Sequence, residues 1–427
     1  MPAGVGAAGQ HQVLSMLRLL VDGASDGGAA ADAQGFSHQA HPRSAQHESA
    51  QPEGKQAVEM NGIPTSHHPL PVRISSTAAD LEAISPLLSE ANAAVGDVPA
   101  LLELAKAAAA TAPTPGDGRT AFLWEILASV TAVDVAAGRV LEPHLDAVAI
   151  LGQAGDKAAQ DGGDFPDPHG ADFEGTWGVF AAEAPGLRLE AKESAGGWIL
   201  QGSKPWCSLA AQLDHAVLTA HLETGGRAAF AVDLHADGVS FANPEWTSRG
   251  LREIPSGTVH FDAVPAVPLG GAGWYYQRPG FAWGGMGVAA CWLGGAVAVA
   301  RSFTASLRQA ADGGREPDQI ALAHLGEIDR TLAALTAYLA GTAARIDAGE
   351  LSDGGAWQEA LRVRGSVAAA VERVQTLVSQ NLGPAPLAFD ESYGKRMADL
   401  ALYIRQHHAM RDDAQLGTLT LTGSNPW

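Results

Sequence analysis

The sequence predicts an α+β multidomain chain: an N-terminal helical domain, a central antiparallel β-barrel and a C-terminal four-helix bundle. Three observations predict it. Apolar residues recur every three or four positions between Ser75 and Gly155, the period drops to two between Trp177 and Pro268, and long helical periodicity returns after Pro279. The 427 residues suffice for two or three domains with sizeable cores.

Residues 1–66 are rich in Gly, Ala, Gln, His and Ser and read as a disordered extension, in which only Val13–Val21 has helical spacing. The helical domain, 67–172, opens with Ser76 or Thr77 capping the run TAADLEAI, whose acidic residues sit where the helix dipole favours them. A second helix, Val98 to Ala112, stops at Pro113-Thr114-Pro115-Gly116. A third, Phe122 to Leu151, sets Phe122, Ile126, Val130, Val133 and Ala137 on one stripe that must pack on other helices. The acidic loop 160–172 lacks the order of a calcium-binding loop and reads as a solvated linker.

In the barrel domain, 173–270, WGVFAAEA, GGWILQGSKPW, HAVLTAHL, RAAFAVDL, GVSF and GTVHFDAV are short β-prone runs separated by glycine-bearing turns. Such a series of short strands forms an antiparallel barrel or sandwich. The bundle, 271–427, carries helices at 281–311, 317–349, 354–382 and 391–416, broken at Asp312-Gly313-Gly314, Asp353-Gly354-Gly355 and Gly383-Pro384.

Lys+Arg 27 against Asp+Glu 47 gives a net charge of −20 with no basic run, which argues against nucleic acid and membrane surfaces as partners. The glycines of 279–300 argue against a membrane span. Two cysteines, Cys207 and Cys291, make no disulfide scaffold and suit a reducing, cytoplasmic location. Three motif matches read as structural. Gly23-Ala24-Ser25-Asp26-Gly27 has the G-x-S-x-G pattern without a flanking strand and helix. The cluster His38, His41, His47, His67 and His68 lacks ligand spacing, so no metal site is expected. Gly285-Met286-Gly287-Val288-Ala289-Ala290 follows no buried strand and reads as close helix packing rather than a dinucleotide site.

The run Gly202-Ser203-Lys204-Pro205-Trp206-Cys207-Ser208-Leu209-Ala210 resembles the G-x-K-x-W-I-T-N-A barrel motif of the acyl-CoA dehydrogenase family, within a helix, barrel, helix order spanning about 75–416. Trp177–Ala184 resembles that family's F-A-L-T-E-P strand; Leu141–His144, Gly250-Leu251-Arg252, Ser256–Val259 and Phe261–Pro265 fall in the same order. The resemblance implies an FAD-dependent oxidoreductase acting on an acyl-CoA or related small substrate. It also implies a homodimer or homotetramer and an electron-transferring flavoprotein as acceptor. Trp206 would lie against the flavin, Ser208 would donate near N5, and Cys207 stands between them. Ala182 occupies the place of a flavin-contacting threonine, and Glu183 would brace the strand. Arg308 or Arg315 would serve the pyrophosphate of a neighbouring subunit, and Gln380 and Gly383 fall in the family's Q-x-x-G-G cofactor segment. The physics agrees, because an isoalloxazine ring needs a flat apolar neighbour and fixed donors at its reducible edge.

The family's usual catalytic glutamate is missing. Aligning Lys395–Asp399 with its R-D-A run puts Arg405 or Gln406 at the glutamate of Y-E-G-T, and the alternative position on the first bundle helix holds Val288 or Ala289. His407 or His408, with near-neutral basicity, is the substitute candidate, with Asp412 or Asp413 as a further acid. Two alternatives keep the fold: an oxygen-using flavin enzyme of monooxygenase or oxidase type, and a catalytically degenerate structural paralogue.

Overall fold

The structure, a computed structural model, describes residues 69–161, 174–242 and 246–423. The extension 1–66, with its G-x-S-x-G match and histidine cluster, and nearly all of the acidic linker lie outside the described residues.

The first helices are α1 (Ala78–Ala83), α2 (Ser85–Ala93), α3 (Val98–Ala109), α4 (Thr120–Val133) and α5 (Val135–Gln160). Thr77 caps α1 in a reciprocal capping box with Asp80. The single helix expected over 122–151 is two. Asp134 takes an extended backbone, ends α4 and caps α5 by accepting from the Ala137 N–H at 3.0 Å. Asp competes for backbone donors in this way, which favours a cap over a helix interior.

The sheet comprises β1 (Trp177–Phe180), β2 (Leu189–Ser194), β3 (Gly197–Ser208), β4 (His215–Leu222), β5 (Arg227–Asp233), β6 (Val239–Ala242) and β7 (Ser256–Leu269). Pairings β4–β5, β5–β7, β7–β3, β3–β2 and β2–β4 close a ring, to which β1 and β6 are appended. It is not wholly antiparallel: β1 and β2 both run parallel to β4, taking successive stretches of it. Strand β2, LEAKES, is absent from the sequence-predicted set because three of its six residues are exposed and charged or polar. The barrel is fastened to α5 where the Trp177 N–H donates to His144 Nδ1 at 3.2 Å, and burial drives the His144 pKa down to about 4, keeping the ring neutral.

After the short α6 (Trp274–Gln277) come α7 (Pro279–Asp312), α8 (Gln319–Asp347), α9 (Gly355–Leu382), α10 (Pro384–Phe389), α11 (Glu391–Tyr403) and α12 (Met410–Thr422). The predicted helix 391–416 breaks at 404–409, where a 3-10 turn leads into Ala409 at φ 50° and ψ −125°. By length and composition α7 is apolar enough to cross a membrane, contrary to the sequence reading, but 78% of its apolar window is buried within the fold. A Cβ on Gly294 would lie 2.0 Å from the Ala128 carbonyl oxygen, so glycine is what lets α7 approach α4. One continuous core runs from Ile74 through the barrel to Ile404, uniting the three predicted segments in a unit spanning 65–427.

Candidate functional site

The barrel motif is built on a β-bulge. Lys204 pairs with Val259 and Cys207 with Gly257, so three steps along β3 face two along β7. Pro205 donates nothing to the ladder, and Trp206 takes the left-handed backbone, φ 58°. That conformation costs an L-residue about 1–2 kcal/mol. The result is a tryptophan 60% exposed between two residues that face inward. Cys207 is the correction here: its thiol is buried, donates to the Lys204 carbonyl at 3.3 Å and is pushed up to about 12 by burial, so it faces the core and not a ligand beside Trp206.

Beneath the bulge the Lys204 ammonium, fully buried, donates to Glu183 Oε1 at 2.7 Å and Thr219 Oγ1 at 3.0 Å. Glu183 also meets His221 at 3.2 Å and Arg227 at 3.4 Å. Burial alone would raise its pKa; Lys204, with these partners, holds the carboxyl below its usual range. Ala182, next to it, is exposed.

Beside the bulge lies a polar seam between the barrel and the helices. Arg139 of α5 donates to Ser208 Oγ at 3.1 Å, and Ser208 shares a 2.7 Å hydrogen bond with Ser256. Glu142, one turn on, stands 3.9 Å from Arg139 and accepts from the Tyr403 hydroxyl at 3.5 Å. Burial pushes the Glu142 carboxyl up to about 7, with Arg139 opposing. Arg364 of α9 donates to the carbonyls of Gly285 and Gln406 and lies 4.9 Å over the Trp292 ring. Sequence reasoning missed Arg139, Tyr403 and Arg364. The available signal was charge inside an apolar stripe: Arg139 and Glu142 recur at helical spacing among the buried residues of α5.

The turn after α11 separates the two histidines. His408 is exposed, and its Nδ1 lies 3.2 Å from Asp412 Oδ1 while its N–H donates to Oδ2 at 3.1 Å. Burial tends to raise the Asp412 pKa, but these contacts with His408 hold it below its usual value. His407 is buried, with Nε2 3.7 Å from Asp412, and burial depresses its basicity. Arg308 and Gln380 are exposed near the C-terminal ends of α7 and α9, and Gly383 ends α9 at φ 67°. Among the described residues, no hydrogen bond joins Arg308 or Gln380 to the barrel strands.

Two other clusters are satisfied internally. Lys395 Nζ lies 2.8 Å from Asp134, 2.9 Å from Glu253 and 2.6 Å from Asp399, so its ammonium fills the one carboxylate triad with metal-like spacing among the described residues. A cleft of about 1000 Å³ between α8, α9 and α12 has Glu359 on its wall, which accepts from Tyr338 at 2.7 Å and pairs with Arg345 and Arg362 at 3.2 and 3.0 Å.

Residues 181–264 match the family model for the acyl-CoA dehydrogenase middle domain. Solved structures share the architecture at low identity. Butyryl-CoA dehydrogenase from Megasphaera elsdenii aligns with a TM-score of 0.68 and 15% identity over 82% of this chain and 100% of its own. FMN-bound TdsC from Paenibacillus sp. A11-2 gives 0.67 and 17% over 82% and 98%, and the nitrososynthase of Micromonospora carbonacea var. africana 0.67 and 18% over 82% and 99%. No curated protein matches the sequence. The chain thus shares the fold of these solved structures, and its residues 181–264 match the acyl-CoA dehydrogenase middle-domain model.

Proposed function

We propose that this chain is a flavin-dependent oxidoreductase acting on a small molecule. The observation that carries the reading is Trp206, an indole held outward by a bulge and a left-handed backbone, beside the hydroxyls of Ser208 and Ser256. Backbone strain and an exposed aromatic both cost stability, and such features cluster where a ligand is received. The residues fit a flavin ring: a flat apolar face, adjoining hydroxyls, and an arginine at the same edge. FAD follows from the motif, whereas TdsC is a neighbour with FMN bound.

A bound flavin supplies two-electron redox chemistry at its N5 edge. Trp206 would lie against a bound ring, and Ser208, anchored by Arg139 and Ser256, would offer it a hydroxyl. His408 holds a proton-accepting nitrogen, Nε2, while Asp412 orients the ring through Nδ1. The backbone supports His408 over Arg405 and Gln406 as the counterpart of the missing glutamate. Ala409 adopts a conformation that suits the glycine of Y-E-G-T, which brings His408 into register with the glutamate before it.

The absence of a carboxylate at that turn supports the oxygen-using reading beside thioester dehydrogenation. One neighbour of this fold is named a dibenzothiophene monooxygenase and another a nitrososynthase. Purification is the test. Near-stoichiometric flavin absorbance, weakened about tenfold or more in affinity by Trp206→Ala and little by Trp206→Phe, is expected; a colourless protein that takes up neither FAD nor FMN overturns the proposal and favours a structural paralogue. Anaerobic bleaching by acyl-CoAs would restore the dehydrogenase reading, with an electron-transferring flavoprotein as the acceptor to examine.

A further inference from the structure

The turn between α11 and α12 seats a buried imidazole beside a cation. Arg364 of α9 donates to the Gln406 carbonyl at 2.6 Å, and the next residue, His407, is buried with its Nε2 outside any hydrogen bond among the described residues. The charged groups facing that ring are Asp412 and Asp413 on α12, Arg364 on α9 and His408 on the turn itself. Asp412 Oδ2 stands 3.7 Å from Nε2, beyond hydrogen-bond length. The same carboxylate is already engaged by His408, through its backbone N–H at 3.1 Å and Nδ1 at 3.2 Å. A neutral ring fits this seat. A charged one would add a buried donor next to a guanidinium. Burial accordingly depresses the basicity of His407, with the two aspartates opposing and Arg364 and His408 adding to it.

Two further features bear on whether the ring can leave. Ala409 joins the turn to α12 at φ 50° and ψ −125°, a backbone that glycine prefers, so the closed turn is strained at that residue. The cleft between α8, α9 and α12 reaches the seat: a Cβ on Gly365, which lines the cleft with Asp413, would lie 3.5 Å from both His407 Nε2 and Asp413 Oδ1. The ring is therefore one glycine away from open space.

We infer that the turn 404–409 is an acid-released latch: neutral His407 keeps it shut, and a proton on that ring opens it and parts Asp412 from His408. At neutral pH the closed turn presents His408 oriented by Asp412. As pH falls through the ordinary histidine range, the open ring takes up the proton that the seated ring resists, and the equilibrium moves toward the open form. The latch regulates the same site, and it rests on the flavin reading for the task of His408 but not for the opening itself.

The test is amide hydrogen exchange of the full chain, comparing the segment 404–412 with α11 at the same pH so that the intrinsic pH dependence of exchange cancels. Between about pH 7.5 and pH 5.5 the protection of the turn relative to α11 should fall about tenfold in wild type, the ratio set by an open ring of ordinary pKa, about 6.5. It should stay constant in His407→Gln, whose side chain does not titrate. Ala409→Gly relieves the closed turn and should move the opening about one pH unit lower. Equal wild-type protection at both pH values, an undiminished fall in His407→Gln, or opening of Ala409→Gly at an unchanged pH overturns the inference. None of these measurements needs bound flavin, so a chain that takes up no flavin counts against the flavin reading alone.

Discussion

Replacing Glu142 by glutamine removes the ionisable group most at odds with its surroundings and keeps its shape. The carboxyl is buried, and its pKa is raised from 4.5 to about 7, first by desolvation and then by Asp146, against Arg139. The unfolded chain therefore releases this proton before the folded one does, so between those two values stability falls as pH rises, and above about 7 the whole penalty is present. That separation corresponds to about 3 kcal/mol at 1.36 kcal/mol per tenfold, of which about 1.4 kcal/mol is already expressed at pH 5.5. Relative to wild type, Glu142→Gln should thus gain about 2 kcal/mol in stability between pH 5.5 and pH 8.5. The assay is urea unfolding of both proteins at each pH; titrating groups not coupled to Glu142 cancel in the difference. Glutamine retains an acceptor for the Tyr403 hydroxyl, so the comparison isolates the charge. A difference that stays constant with pH within about 0.5 kcal/mol would refute the claim that this carboxyl is desolvated and poorly compensated by Arg139.

Three other perturbations read different parts of the fold. Lys395→Met strands Asp134, Glu253 and Asp399 around an absent cation. It should cost about 3–5 kcal/mol by chemical denaturation. Ala409→Gly relieves the positive φ at the turn and should raise stability by about 1 kcal/mol, measured as a shift in urea midpoint at constant slope. Burial pushes Cys207 and Cys291 each up to about 12, so neither thiol should react with a disulfide reagent in the native protein, and both should titrate after denaturation.

Local periodicity carried most of the architecture. The switch from helical spacing to alternation and back is a property of neighbouring residues, which is why β4 and β5 fall where HAVLTAHL and RAAFAVDL were read as strands. Trp206 stood out in the sequence only through the resemblance of its run to a family motif; its outward turn comes from the bulge and the left-handed backbone, which the motif does not state. Long-range contacts were not legible. The parallel pairing of β1 and β2 to β4 depends on which strands meet, and LEAKES becomes a strand because partners complete its hydrogen bonds, not because its own pattern demands it.

By itself, then, the sequence determined the order of helices, barrel and helices, and the strand that offers Trp206 and Ser208. Only the tertiary structure decided that Arg139 meets Ser208 across 69 positions, that Tyr403 meets Glu142 across 261, and that His408 rather than His407 remains open to solvent beside Asp412. The reason is physical. Propensity and periodicity act through neighbours a few residues apart, whereas the charge state and free donors of a side chain depend on desolvation and on partners that only folding brings together.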